Sequence, residues 1–175
     1  MLFTRSYIQG LLLTSRPAST AITKLIEVYT DGSCYNGDGG YAVYFPGGEH
    51  PTICKGASAS ASASAVTSTR CEILAVNSAL TIYNDKFRGT PYTIYTESLF
   101  IVKSLYRYFP IWRNNGWKKK DGTPVKNQDL MKPMCELFDA NKHNVSVKHI
   151  KGYKLNQHKY LCKKMVADVL AKNDV

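Results

Sequence analysis

An α/β fold, with strands and helices alternating through one domain, is predicted from three stretches of this chain. In Leu25 to Phe45 (LIEVYTDGSCYNGDGGYAVYF) an apolar run ends on Asp31, turns on Gly37, Gly39 and Gly40, and resumes as a second strand from Tyr41. Tyr92 to Thr96 (YTIYT) is another short run of β-branched and aromatic residues. It stops at an acid, Glu97, and a helix from Ser98 to Tyr106 follows directly. Between them, Arg70 to about Tyr83 carries Ile73, Leu74, Val76, Ala79 and Leu80 at helical spacing, with Ser68 or Thr69 as its cap. Strand, acid, helix is the usual place for a site in an α/β sheet.

Each acid has a plain structural reading. Asp31 before Gly32 reads as a turn residue, and a buried strand that keeps a carboxylate must otherwise give it a hydrogen-bonded turn or a cation. Glu72, near the start of a helix, reads as a residue that complements the helix dipole. The remaining elements follow in order. Thr52 to Ala57 is a third strand, and the Ser/Ala alternation in GASASASASAVTSTR reads either as its continuation or as a loop. Asn127 to Ala140 is a helix with Leu130, Met131, Met134, Leu137 and Phe138 inward, kinked or started late by Pro133. Val145 to Ile150 is the last strand, KGYKLNQHKY a basic loop, and Cys162, Met165, Val166, Val169 and Leu170 mark a closing helix that also carries Asp168.

The composition narrows the function classes. The 175 residues suffice for one domain with its own core. No apolar run approaches the roughly 20 residues of a membrane span, so no membrane partner is expected. Five cysteines (Cys34, Cys54, Cys71, Cys135 and Cys162), widely spaced and without a CxxC pair, give neither a zinc site nor a disulfide framework. The net charge of +10, from 23 Lys and Arg against 13 Asp and Glu, favours a polyanionic partner. In WRNNGWKKKDGTPVKNQDL, Trp112 and Trp117 are interleaved with Arg113, Lys118, Lys119, Lys120 and Lys126. That mixture suits a nucleic-acid backbone, and equally describes a solvated basic loop over packed tryptophans. Residues 1–20 (MLFTRSYIQGLLLTSRPAST) hold Arg5, Arg16, hydroxyls and leucines and no acid, which reads as a mitochondrial transit peptide rather than a secretory signal and implies the mitochondrial matrix.

Three of these motifs, VYTDGSC with GGYAV, TSTRCEILAVNSAL, and GWKKKDGTPVKNQDL, arrive in one order. Together they resemble the ribonuclease H type 1 family over roughly Lys24 to Lys172, with residues 24–173 as the domain. The resemblance implies a ribonuclease H-like five-stranded mixed sheet, three strands antiparallel and then two parallel, with helices on both faces. It also implies hydrolysis of the RNA strand of RNA/DNA hybrids with two Mg²⁺ ions, or Mn²⁺, about 4 Å apart. On that resemblance Asp31, Glu72, Glu97 and Asp168 are the catalytic and metal-holding acids. Ser68 and Thr69 read the hybrid's minor groove, and Trp112, Trp117, Lys118, Lys119 and Lys120 hold its backbone.

Two departures stand out. Glu97 takes the place of the family's aspartate, one methylene longer, and Tyr153 stands where the family has a mobile histidine. An ungapped count from Gly152 puts Lys163 at the fourth acid's position. A five-residue insertion instead matches ADVLA to the family pattern and puts Asp168 there, with His158 as a stand-in for the histidine. The reading preferred here is Asp168 and a monomeric nuclease. The alternative is a catalytically impaired subunit of a mitochondrial ribonucleoprotein assembly that binds hybrids or structured RNA. A resolvase or integrase on the same fold fits less well, because those families lack the GWKKKDGTPVKN protrusion.

Overall fold

The computed structural model describes residues 24–57, 65–152 and 156–173. The expected transit peptide, most of the Ser/Ala run and Tyr153 lie outside the described residues. Five strands, β1 (Ile26–Tyr35), β2 (Asp38–Tyr44), β3 (Ile53–Ala57), β4 (Tyr92–Thr96) and β5 (Val145–His149), form one sheet in the order β3-β2-β1-β4-β5. β1, β2 and β3 pair antiparallel, whereas β4 is parallel to β1 and β5 parallel to β4. This is the mixed sheet anticipated from the sequence. Among the described residues no helix is long and apolar enough to cross a membrane.

Asp31 does not end its strand, as the turn reading required. β1 runs on through it to Tyr35 and closes on β2 with Tyr35 opposite Asp38. The intervening Asn36 and Gly37 both have positive φ, 49° and 90°, as a two-residue hairpin of the I′ kind demands. The parallel ladder with β4, by contrast, stops at Tyr29 opposite Tyr95. Asp31 therefore lies two residues beyond that ladder, on the part of β1 that outruns β4 and is paired with β2 alone.

Alternation along β1 sends Val28 to one face of the sheet, and Tyr29 and then Asp31 to the other. The first face is covered by helix α1 (Ser68–Ile82), extended by a wider turn to Phe87, and by α4 (Gln128–Asn141). There Val28, Val43, Ile73, Val76, Leu80, Met131 and Met134 form the centre of the larger core. Helix α5 (Gln157–Asn173) covers the second face over a smaller cluster of Tyr29, Ala42, Cys162 and Val166. After β4, α2 (Leu99–Lys103) passes through a wide turn, Ser104–Tyr108, into α3 (Phe109–Asn114).

The start of α1 differs from expectation in a way that matters for the site. Its cap is Thr67, whose hydroxyl accepts the Arg70 N–H at 3.2 Å, not Ser68 or Thr69. With the helix beginning at Ser68, Glu72 falls in the second turn, beyond the free N–H groups that a dipole-complementing acid would face.

Candidate active site

Two helices on opposite faces of the sheet bring charged side chains to Asp31. From α1 comes Glu72. The backbone of α1 lies directly on β1 at Gly32, where an added Cβ would stand 2.3 Å from the Cys71 carbonyl carbon and 2.3 Å from the Glu72 nitrogen. Only glycine permits that approach, so the glycine after Asp31 sets the distance between the first two acids. The third, Glu97, follows β4 directly, and its Oε1 is buried without a hydrogen-bond partner. Burial pushes the Glu72 carboxyl above the ordinary glutamate range. A hydrogen bond from Ser98 opposes the shift, the Asp31 and Glu97 charges add to it, and Lys159 works against it. The three acids thus share one electrostatic neighbourhood.

From α5 comes Lys159. Its ammonium is fully buried, donates to the Thr30 carbonyl at 2.9 Å and is ion-paired with the Asp31 carboxylate, which is itself only 10% exposed. The root of the side chain is clamped. Asn156 Oδ1 accepts the Lys159 N–H at 2.9 Å, and the His158 ring packs 5.2 Å from Tyr29 and 5.9 Å from Tyr44. One turn on, the Cys162 thiol donates to the Tyr29 carbonyl at 3.4 Å.

Beside the acids runs a basic cleft. A cavity of about 990 Å³ is lined by Thr69, Phe100, Trp112 and the three lysines Lys118, Lys119 and Lys120, among others. The lysines stand on a small hairpin, with Lys118 bridged to Pro124 and Lys119 N–H donating to the Thr123 carbonyl at 2.8 Å. Beneath it, Trp112 and Trp117 pack with ring centroids 5.7 Å apart. Arg70 forks onto Asp129 at 2.9 and 2.5 Å, which ties the start of α1 to the helix that follows the hairpin.

Comparison with known proteins places the chain in a family. The sequence profile of the RNase H family matches residues 23–175. This chain belongs to the ribonuclease H family. It is 32% identical over 135 residues to Ribonuclease HI of Caulobacter vibrioides, covering 75% of this chain and 83% of that one. It is also 32% identical over 155 residues to Ribonuclease H of Syntrophomonas wolfei subsp. wolfei, covering 87% and 97%. Among solved structures it shares the fold of LC9-RNase H1, described as a type 1 RNase H with the type 2 active-site motif. The TM-score is 0.62 and the identity 22%, with 83% of this chain and 72% of that one covered.

Within this ribonuclease H fold, the structure brings some of the sequence-derived site residues near one another and leaves others apart. Asp31, Glu72 and Glu97 come together. Asp168 does not join them: it is exposed and lies by β3, where its charge acts on Cys54. At 1.5 Å per residue it is roughly 13 Å along α5 from Lys159. Lys163, the other candidate for that position, is also exposed, one turn past Lys159. Both registers misplaced the start of α5, which opens behind Asn156. His158 is held against Tyr29 and Tyr44. Thr69 lines the cleft, but the Ser68 hydroxyl accepts the Cys34 N–H at 3.1 Å and so braces β1 instead. Trp112 and Trp117 are 8% and 9% exposed core residues that support the lysine hairpin from below.

Lys159 is the residue that sequence reasoning missed. Its signal was present: Lys159, Cys162 and Val166 follow i, i+3, i+7, so a cation heads the inward stripe of the helix.

The family's divalent ions make a demand that this arrangement does not meet. The donor chemistry is suitable, since carboxylates are the ligands hard cations take. Yet the inner oxygens at Asp31 and Thr30 are engaged by an ammonium, no fourth acid arrives from α5, and among the described residues no three His, Cys, Asp or Glu side chains converge on one ion.

Proposed function

We propose that this chain binds RNA/DNA hybrids and hydrolyses their RNA strand. The observation that carries the reading is the electrostatic coupling of Glu72 to Asp31 and Glu97, beside a cleft that Thr69, three residues before Glu72, and Phe100, three residues after Glu97, share with the lysine hairpin. Lys118, Lys119 and Lys120 neutralise backbone phosphates there, and Thr69, at the start of α1, offers a hydroxyl to a minor groove lined by 2′-hydroxyls. Residues 1–20 support action in the mitochondrial matrix. The test is incubation of the protein with an end-labelled hybrid in Mg²⁺ or Mn²⁺. Cleavage of the RNA strand above the level of Asp31→Asn is expected, and equal product from the two proteins would defeat the reading. Replacing the three lysines with alanine is expected to weaken hybrid binding and to flatten its dependence on salt, since log K falls with log salt in proportion to the phosphates neutralised.

A second reading, hybrid binding without turnover, is favoured by one specific observation, the Lys159 ammonium on Asp31. It predicts binding that keeps the same salt dependence in EDTA, with no product.

A further inference from the structure

We infer that Lys159 is the resident cation of this acid cluster: its ammonium holds the Asp31 carboxylate that a divalent ion would take, so that the two compete for it. Removing the ammonium frees the Asp31 carboxylate and the Thr30 carbonyl and is therefore expected to raise the affinity of a divalent ion at Asp31. The inference rests on reading those acids as the functional site, but not on whether the protein cleaves a hybrid.

Three features support it. First, the ammonium is wholly buried and held by two oxygens, the Thr30 carbonyl and the Asp31 carboxylate, ligands of the kind a hard cation seeks. Second, the side chain is delivered by a built structure. Asn156 caps the turn, His158 is packed between Tyr29 and Tyr44, and Cys162 fastens the next turn to the sheet. Third, the cluster retains unused acceptor capacity in the buried, unpartnered Glu97 Oε1. The charges of Asp31 and Glu97 both act on Glu72, and one ammonium offsets only part of that effect. A divalent ion placed beside a buried ammonium would meet like charge and lose the Asp31 oxygen that the ammonium holds.

The experiment is calorimetric titration of Mn²⁺, without nucleic acid, into the full chain and into Lys159→Met, which keeps the length of the side chain and drops its charge. Mn²⁺ is expected to bind Lys159→Met about tenfold or more tightly than the parent. That gain should vanish in the Asp31→Asn/Lys159→Met double variant. Equal affinity of parent and Lys159→Met, or a gain that survives Asp31→Asn, would overturn the inference. Should Lys159→Met fail to fold, the parent protein still decides. Selective broadening of the Asp31 and Glu72 amide resonances by substoichiometric Mn²⁺ would show that the ammonium does not hold the ion off and would overturn the inference, and their persistence would support it. Because no hybrid is present, failure to bind Mn²⁺ and failure to cleave RNA are read separately.

Discussion

Helices α1 and α5 pack on opposite faces of the sheet beside Asp31, α5 through an ion pair to its carboxylate and α1 by seating Glu72 where that charge is felt, and they are held there differently. Helix α1 sits backbone to backbone on β1 at Gly32 and is backed by the larger core and by α4, so Glu72 has little latitude. Helix α5 rests on a cluster of four buried residues, and its approach to Asp31 is fixed largely by polar contacts in its first turns: the Asn156 cap, the Lys159 ion pair and the Cys162 thiol. One helix is placed by shape and the other by charge. Where charge sets the position, changing a single side chain changes what occupies the site.

The comparison is broken most severely at Gly32. Gly32→Ala puts a methyl group into the α1 backbone, which cannot yield as a flexible side chain would. A loss of about 3 kcal/mol or more in urea unfolding is expected. If the substitution is tolerated, α1 is not seated by close contact. Next comes the pair itself. Lys159→Met and Asp31→Asn are each expected to cost about 3 kcal/mol, because each leaves a buried partner uncompensated. The double variant should cost much less than the sum, and a double-mutant cycle read by chemical denaturation measures the difference. Additive losses would mean that α5 is placed by its apolar residues after all.

The smallest effect belongs to the α1 side. Arg70 holds the Asp129 carboxyl below the ordinary aspartate range, and Asp129 is about half exposed, so the pair is worth under about 1 kcal/mol. A lowered folded-state pKa stabilises at pH above the unfolded aspartate value, and that contribution disappears as pH falls through the folded value. Arg70→Ala should therefore lower the melting temperature slightly at neutral pH and match the parent in strong acid. A deficit that persists in acid would assign Arg70 a packing role instead.

The strands and α1 were legible because their apolar residues recur at the periods of a half-buried strand and a one-sided helix. Glu72 could be placed because the helix around it is strongly patterned. Asp31 was recognised as an acid at the mouth of a hairpin, but the extent of its strand was hidden: a glycine-rich segment looks like a loop, yet here Gly39 and Gly40 lie buried in β2 while Asn36 and Gly37 alone make the turn. The opening of α5 was hardest. KGYKLNQHKY is rich in cations and polar residues, and nothing in its composition separates loop from first turn. Counting from Gly152 or from ADVLA therefore overshot the residue that enters the site. Asn156 as a cap three residues before Lys159 was the usable clue, obscured by the prior that lysines point to water.

Cys162 lies one turn beyond Lys159, wholly enclosed, its thiol pushed up to about 12 by burial. Cys54, by contrast, is exposed. Once Cys54 and the half-buried Cys34 have been capped, an alkylating reagent can reach Cys162 only during moments when α5 lifts from the sheet, and the mass of the Cys162 peptide separates it from the buried Cys71 and Cys135. The native chain thus carries its own clock for that excursion, readable by mass without any introduced label.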